Sequence, residues 1–371
     1  MSVAFSPQFK TMTRLCMILV IAIYIPNVKC NIKWLALQKY SNNEIWAVNQ
    51  VCTKDYGFTG KQVRFCKKHF PWMTFVQEAV IDAKEECIHH LNKQKWDCHV
   101  IKEAPTFNED LRKDTKQSAL VYALSAASLA ITISRRCKMG QIPDCSCQHN
   151  RRVSFPSSIV NSTDLSNIDK IIPCKGIVQH GKRFTQTFTN LGFRLLPKNE
   201  RQAEEIAVRK HNIQIGLKAL GTGEEVTCVC TGATGGCPRK FCYRRIIPLN
   251  EAAAGIFERY KKAVKLFQHD FNRPPKASLN KGQMSKLPYQ VKDEHVDKLV
   301  YLEETDQVCA TAGRRCVLDN SKQDSCENLC CGRGYRGKLI EVNSQCRCKF
   351  VYCCKVVCDN CISMKQVFEC L

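Results

Sequence analysis

The chain has 371 residues, 26 of them cysteine, and a formal net charge of +22. That length is enough to bury a real core, so cysteine chemistry need not carry the fold alone. So many cysteines leave two readings, a disulfide framework in an oxidising compartment or a set of metal ligands.

The N-terminus decides the compartment. "MSVAFSPQFKTMTR" carries Lys10 and Arg14 and no acid, "LCMILVIAIYI" follows as an apolar run, and Pro26 ends it. Val28, Lys29 and Cys30 then resemble a peptidase site, so residues 1–30 read as a cleaved secretory signal. The run is too short for a membrane span, which needs about 20 apolar residues. The other apolar stretch, Ser118 to Ser134, is interrupted by serines and reads as a buried helix. The expectation is a secreted protein without a membrane span, in the extracellular space or matrix.

Cleavage removes Cys16 and Cys30 and leaves 24 cysteines, an even number, with a net charge of +19. Twelve fall between Cys52 and Cys242 and twelve between Cys309 and Cys370. That pattern predicts two stapled units over residues 31–270 and 309–371, joined by a linker over 271–308. "CRC" at Cys346–Cys348 and "CDNC" at Cys358–Cys361 have metal-like spacings, but zinc ribbons need two such pairs at set intervals and normally occupy reducing compartments. A secreted basic protein meets no nucleic acid, so the polyanions it would meet are acidic cell surfaces and sulfated glycans such as heparan sulfate. Plain solubility is the competing account of the charge.

Helical periodicity marks four segments of the first unit. Met73, Val76, Val80, Ala83, Cys87 and Leu91 recur at helix spacing, and Ala119 to Ile133 follows. Asn199 to Leu220 has Asn199 as its N-cap and Gly221 just past its end, and Asn250 to Phe267 has Asn250 as a cap. Asn161 holds the one N-glycosylation sequon, in a loop-like stretch. Phe271 to Lys298 combines prolines and charges without a period, as a linker does. Cys346 to Cys358 is β-rich and bracketed by cysteines, as in a stapled hairpin. No nucleophile elbow, zinc-protease helix, phosphate loop or carboxylate pair is recognisable, so the chain reads as a binding protein and not an enzyme, with no cofactor and no metal.

The cysteine pattern resembles that of the Wnt family of secreted morphogens. "CIHHLNKQKWDC", "RRCKMGQIPDCSC", "CKGIVQHGKRFTQTF" and "RKHNIQIGLKAL" are similar to successive family segments, and "YLEETDQVC" opens the second unit in the same way. "CENLCCGRGY" followed by "CRCKFVYCCKVVCDNC" closely resembles the family's C-terminal signature, with adjacent, alternating and spaced cysteines all coinciding. The resemblance implies an α+β, disulfide-rich, hand-like fold. A helical N-terminal domain bears a thumb hairpin at 228–242, and a cysteine-rich C-terminal domain bears a finger hairpin at 346–361. It implies the bridges Cys87–Cys98, Cys137–Cys145, Cys147–Cys174, Cys228–Cys242 and Cys230–Cys237. In the second domain it implies Cys309–Cys331, Cys316–Cys326, Cys330–Cys370, Cys346–Cys361, Cys348–Cys358 and Cys353–Cys354. Cys52 and Cys66 are then left to pair.

The resemblance also implies partners: the cysteine-rich domain of Frizzled receptors and an LDL-receptor-related co-receptor. Typical relatives carry a fatty acyl ester on a serine at the thumb tip, and that lipid fills a groove of Frizzled. Here the tip reads Thr231, Gly232, Ala233, Thr234, Gly235, Gly236 and Cys237, so Gly236 stands at the acceptor position and has no hydroxyl. About 14 buried methylenes at ~0.8 kcal/mol each would give roughly 11 kcal/mol of gross driving force, which is absent without the lipid. More then falls to the finger tip, Phe350, Val351, Tyr352, Cys353, Cys354, Lys355 and Val356, where Tyr352 replaces the family's usual Trp. Hairpin packing is the competing role for those apolar residues. The expected contact set is the finger tip with Thr234, Gly235 and Gly236. The expected function is an unlipidated Frizzled ligand; the alternative is an antagonist or glycan binder on the same scaffold.

Overall fold

The computed structural model describes residues 32–39, 51–142, 145, 168–170, 176–193, 197, 199–221, 224–230, 240–273, 289–305, 309–352 and 355–371, with 168–170, 224–227 and 240–244 as backbone alone. The expected signal, Asn161, Cys147, Cys174, thumb residues 231–239 and the Cys353–Cys354 pair lie outside these residues. Chain contacts divide the protein into Met1–Cys30 and Asn31–Leu371, and the second unit holds every described residue.

Helices α1 (Gly60–Lys68), α2 (Met73–Leu91), α3 (Glu109–Arg112) and α4 (Lys116–Lys138) open the described fold. Strand β1 (Ile168–Lys170), α5 (Ile177–Asn190), α6 (Glu200–Lys218), β2 (Glu224–Cys230), β3 (Lys240–Ile246) and α7 (Leu249–Lys261) follow. α4 is the centre, with α2, α5, α6 and α7 packed around it. It is buried from Ser118 to Ser134, so its apolar character serves a protein core. Its length and composition would also suit a membrane span, but 94% of that apolar window is buried in the protein. Serines break the apolar run without cost because each hydroxyl finds a carbonyl: Ser128 Oγ donates to Ala79 O at 2.7 Å and Ser134 Oγ to Ala130 O at 2.6 Å.

Two glycines set how closely α4 is approached. A Cβ on Gly216 of α6 would lie 2.0 Å from the Ala123 carbonyl oxygen, and one on Gly181 of α5 would lie 2.3 Å from that of Ala130. No larger residue fits either crossing without moving a helix. The Thr115 side chain caps α4 by accepting from Ser118 N–H, and Asn199 caps α6 by accepting from Gln202 N–H.

Two expectations change. The helix read over Asn250 to Phe267 starts at Leu249, behind Pro248 as its cap, and stops at Lys261. Val264 and Lys265 leave it to form β4, which pairs in parallel with β7 (Val300–Tyr301). The apolar period runs on past Lys261, but pairing with a strand far along the chain overrides it. The linker read over 271–308 is, in its described parts, a packed element. β5 (Phe271–Asn272) pairs with β6 (Gln290–Val291). Leu266, Phe271, Val300 and Leu302 share a core with Ala207 and Val208 of α6. Asn212 of α6 exchanges two hydrogen bonds with the Val300 backbone at 2.9 and 3.0 Å, while Leu302 N–H donates to Asp114 O at 2.8 Å. Asp114 in turn holds Arg209 through two oxygens, at 2.7 and 2.8 Å, in a buried fork.

The C-terminal part contains β8 (Arg315–Cys316), α8 (Cys326–Leu329), β9 (Tyr335–Val351) and β10 (Lys355–Cys370). β10 runs antiparallel to both β8 and β9. Arg314 ties this region to the bundle, donating to Gln94 O at 2.6 Å, Leu91 O at 2.9 Å and Asn92 O. Those carbonyls lie at the C-terminus of α2, where a cation also meets the negative end of the helix dipole.

Candidate receptor-binding surface

The finger is a single long hairpin, more extended than the 346–361 read from the cysteines. Its register runs from Cys370 opposite Tyr335 to Lys355 opposite Val351. Lys349 faces Val357 while Cys346 faces Asp359, so Arg347 and Cys348 together oppose Cys358. Arg347 takes φ 47° at this bulge, which turns the strand and re-aims what lies beyond it. Cys346–Cys361 and Cys348–Cys358 bracket the bulge. At the base stand Cys309–Cys331, Cys316–Cys326 and Cys330–Cys370. In the helical part the bridges are Cys52–Cys66, Cys87–Cys98 and Cys137–Cys145. These eight pairs coincide with pairs named above, and the four sulfurs with metal-like spacing are all bridged.

Beyond the bulge the hairpin holds its apolar residues in water. Tyr352 at the turn is 97% exposed, Phe350 71% and Val356 60%. Phe350 stands directly opposite Val356, so the two side chains share one face, while Val351 shares the other face with Lys355. Hairpin packing therefore does not bury them. Each such side chain would contribute roughly 1.5–3 kcal/mol on transfer into an apolar site. A contiguous apolar tip on a stapled, rigid stem is the geometry of an interaction surface, since binding costs little ordering there.

The thumb is visible at its base. β2 pairs antiparallel with β3, and β1 adds to β3 in parallel. Cys228 stands opposite Cys242 in this register, and Cys228 and Cys230 are both disulfide-bonded. Thr234, Gly235 and Gly236 fall in the undescribed tip.

The structure also assembles groups that spacing alone does not reveal. Arg314 is one, a single residue whose three carbonyl partners lie more than 200 positions away. Another is a trio of Asp270, Glu294 and His295, brought together by the β5–β6 pair.

A helical bundle with a bridged thumb base and a rigid, apolar-tipped finger defines a disulfide-stapled binding protein. The chain belongs to the Wnt family, whose model matches residues 54–371. It is 28% identical to Wnt-11 of Xenopus laevis over 348 residues, covering 91% of this chain and 94% of that protein. It is 27% identical to Wnt-11 of Gallus gallus over 374 residues, covering 98% and 99%. Among solved structures it is similar to human WLS in complex with WNT8A, with a TM-score of 0.53 and 24% identity over 82% of this chain and 95% of that one. That similarity bears on the fold. Wnt proteins are secreted signalling ligands that bind Frizzled-type receptors, not enzymes.

Proposed function

We propose that this protein is a secreted, lipid-free Wnt ligand that binds the cysteine-rich domain of Frizzled-class receptors chiefly through its finger tip. The observation that carries the proposal is the pairing of an exposed tip, Phe350, Val351, Tyr352 and Val356, with a glycine at the family's acyl-acceptor position. Gly236 offers no oxygen for an ester. Thr234 is two residues away, and its β-branched secondary hydroxyl is more hindered than a serine's. The apolar anchor must then come from the hairpin. Cys353, Cys354 and Lys355 complete the contact on the finger, and Gly235 and Gly236 supply a bare thumb loop.

An LDL-receptor-related co-receptor and heparan sulfate are the further partners in this reading. The basic excess supports glycan retention, which should weaken steeply with salt because exposed charges are screened within about 10 Å at 0.1 M. Asn161 is the proposed glycosylation site, and the protein acts in the extracellular space or matrix after loss of residues 1–30.

Intact-mass analysis of the peptide spanning Cys228 to Cys242 tests the lipid-free state. No acyl increment is expected, together with secretion independent of the acyltransferase and an aqueous protein without detergent. An acyl mass on Thr231 or Thr234 would overturn the proposal. Signalling by cells that express Frizzled separates activation from antagonism.

A further inference from the structure

Two segments far apart in the chain converge beside α6. The β5–β6 pair and a hydrogen bond from Lys292 N–H to Asp270 O at 3.0 Å bring Asp270 against Glu294 and His295. His295 Nε2 lies 3.4 Å from Asp270 Oδ1 and 3.5 Å from Glu294 Oε1, and these three donor atoms all lie within 4.8 Å of one another. His269 Nε2, exposed at the rim, is also 3.4 Å from Asp270 Oδ1. We propose that Asp270, Glu294 and His295 form a binding site for a zinc-type divalent cation, with His269 or water completing its shell.

The distances leave room for coordination, because the His295 Nε2–Asp270 Oδ1 hydrogen bond is long, at 3.4 Å. Charge-assisted hydrogen bonds close to about 2.7–2.9 Å, and the exposed pair His99 Nδ1–Asp97 in this protein does so at 2.7 Å. The trio stays open at 3.4 and 3.5 Å. Donors about 2.0–2.2 Å from a tetrahedral zinc ion stand roughly 3.3–3.5 Å from each other. One Nε2–H shared between two carboxylates makes only long three-centre contacts, whereas one cation serves both and removes their mutual repulsion.

The donors are also held in place. Asp270 and His295 are buried. Asp270 Oδ2 accepts from Phe267 N–H at 2.7 Å, which fixes the carboxylate and leaves Oδ1 for the site. His295 Nε2 is the ring nitrogen that faces both carboxylates. One imidazole with two carboxylates suits zinc better than calcium or magnesium, which take oxygen ligands. A bound cation would fasten 267–272 to 290–295 and so brace the approach to the finger domain.

The experiment uses the untagged, fully oxidised secreted protein, dialysed against chelator and titrated with Zn²⁺ in competition with a fluorescent chelator. One equivalent should bind, and Co²⁺ in its place should give the visible absorption of a tetrahedral site. Glu294→Gln, at an exposed position, should weaken Zn²⁺ at least tenfold with the melting temperature of the metal-free protein unchanged, and His295→Gln more. Asp97→Asn, at the exposed control pair, should change nothing. Absence of stoichiometric uptake, or equal affinity in wild type and Glu294→Gln, would overturn the assignment.

Discussion

From Gly60 to Leu302 the protein buries leucines, isoleucines, alanines and aromatic rings around α4. From Cys309 to Cys370 its buried cluster is Cys316, Cys326, Leu329, Cys330 and Cys370, with Phe368 partly covered. The first region is held by packed apolar area. The second has almost none, so its sulfur bridges both form the core and restrict the unfolded chain. The difference explains the finger: a hairpin free of the need to bury its own tip can present Phe350 and Tyr352 to a partner.

The largest effect should come from opening a bridge at the finger's base. Cys330→Ser with Cys370→Ser should cost about 2–5 kcal/mol and leave the C-terminal domain unfolded at body temperature. Under graded reduction, hydrogen exchange should show residues 309–371 losing protection before α4. The reverse order would refute the contrast.

Gly216→Ala attacks the packed region. Its Cβ would meet the Ala123 carbonyl at 2.0 Å, so α6 must shift off α4 at a cost of about 1–3 kcal/mol, read by thermal or denaturant unfolding. The finger bridges should still form in this variant.

Arg314→Ala sits between the two regions. It leaves the carbonyls of Leu91, Asn92 and Gln94 without their charged donor, and about 1–2 kcal/mol should be lost. Exchange should rise at the C-terminus of α2 and around residue 314 together, not in one alone.

The smallest effect is pH dependence in the helical part. Burial first, with Lys218 and His295 adding, holds His211 below its usual 6.5, and burial does the same for His90. Below pH 6.5 the unfolded chain binds protons that the folded chain refuses, so stability falls as pH drops. Melting temperatures measured on either side of that pH should show the decline, and His211→Gln should blunt it.

Much of this was legible in the residues. The stripe from Met73 to Leu91, the Asn199 cap and the apolar run to Ile133 each describe a helix by local rules, and local rules held there. The eight described bridges match pairs that the family resemblance implies or leaves over, whereas cysteine spacing alone allows many pairings. Reading failed where the partner is distant. Val264 continues a helical period but pairs with Val300, and Leu299 to Leu302 falls inside the linker read over 271–308, yet Asn212 and Asp114 receive it. The trio around Asp270 gives no signal at all before the β5–β6 pair forms, since Asp270 and His295 stand 25 residues apart.

In the proposed function the finger tip, not a lipid, anchors this ligand. Titration of the detergent-free protein against a panel of Frizzled cysteine-rich domains tests it, comparing wild type with Phe350→Ala plus Tyr352→Ala. Both side chains are exposed, so the double variant should keep its secretion level and its melting temperature. Saturable binding by the wild type is expected, with a loss of at least about 30-fold in the variant, the equivalent of about 2 kcal/mol for a hot-spot pair. Binding unchanged by the double variant, or binding that appears only with an acylated thumb, would contradict it.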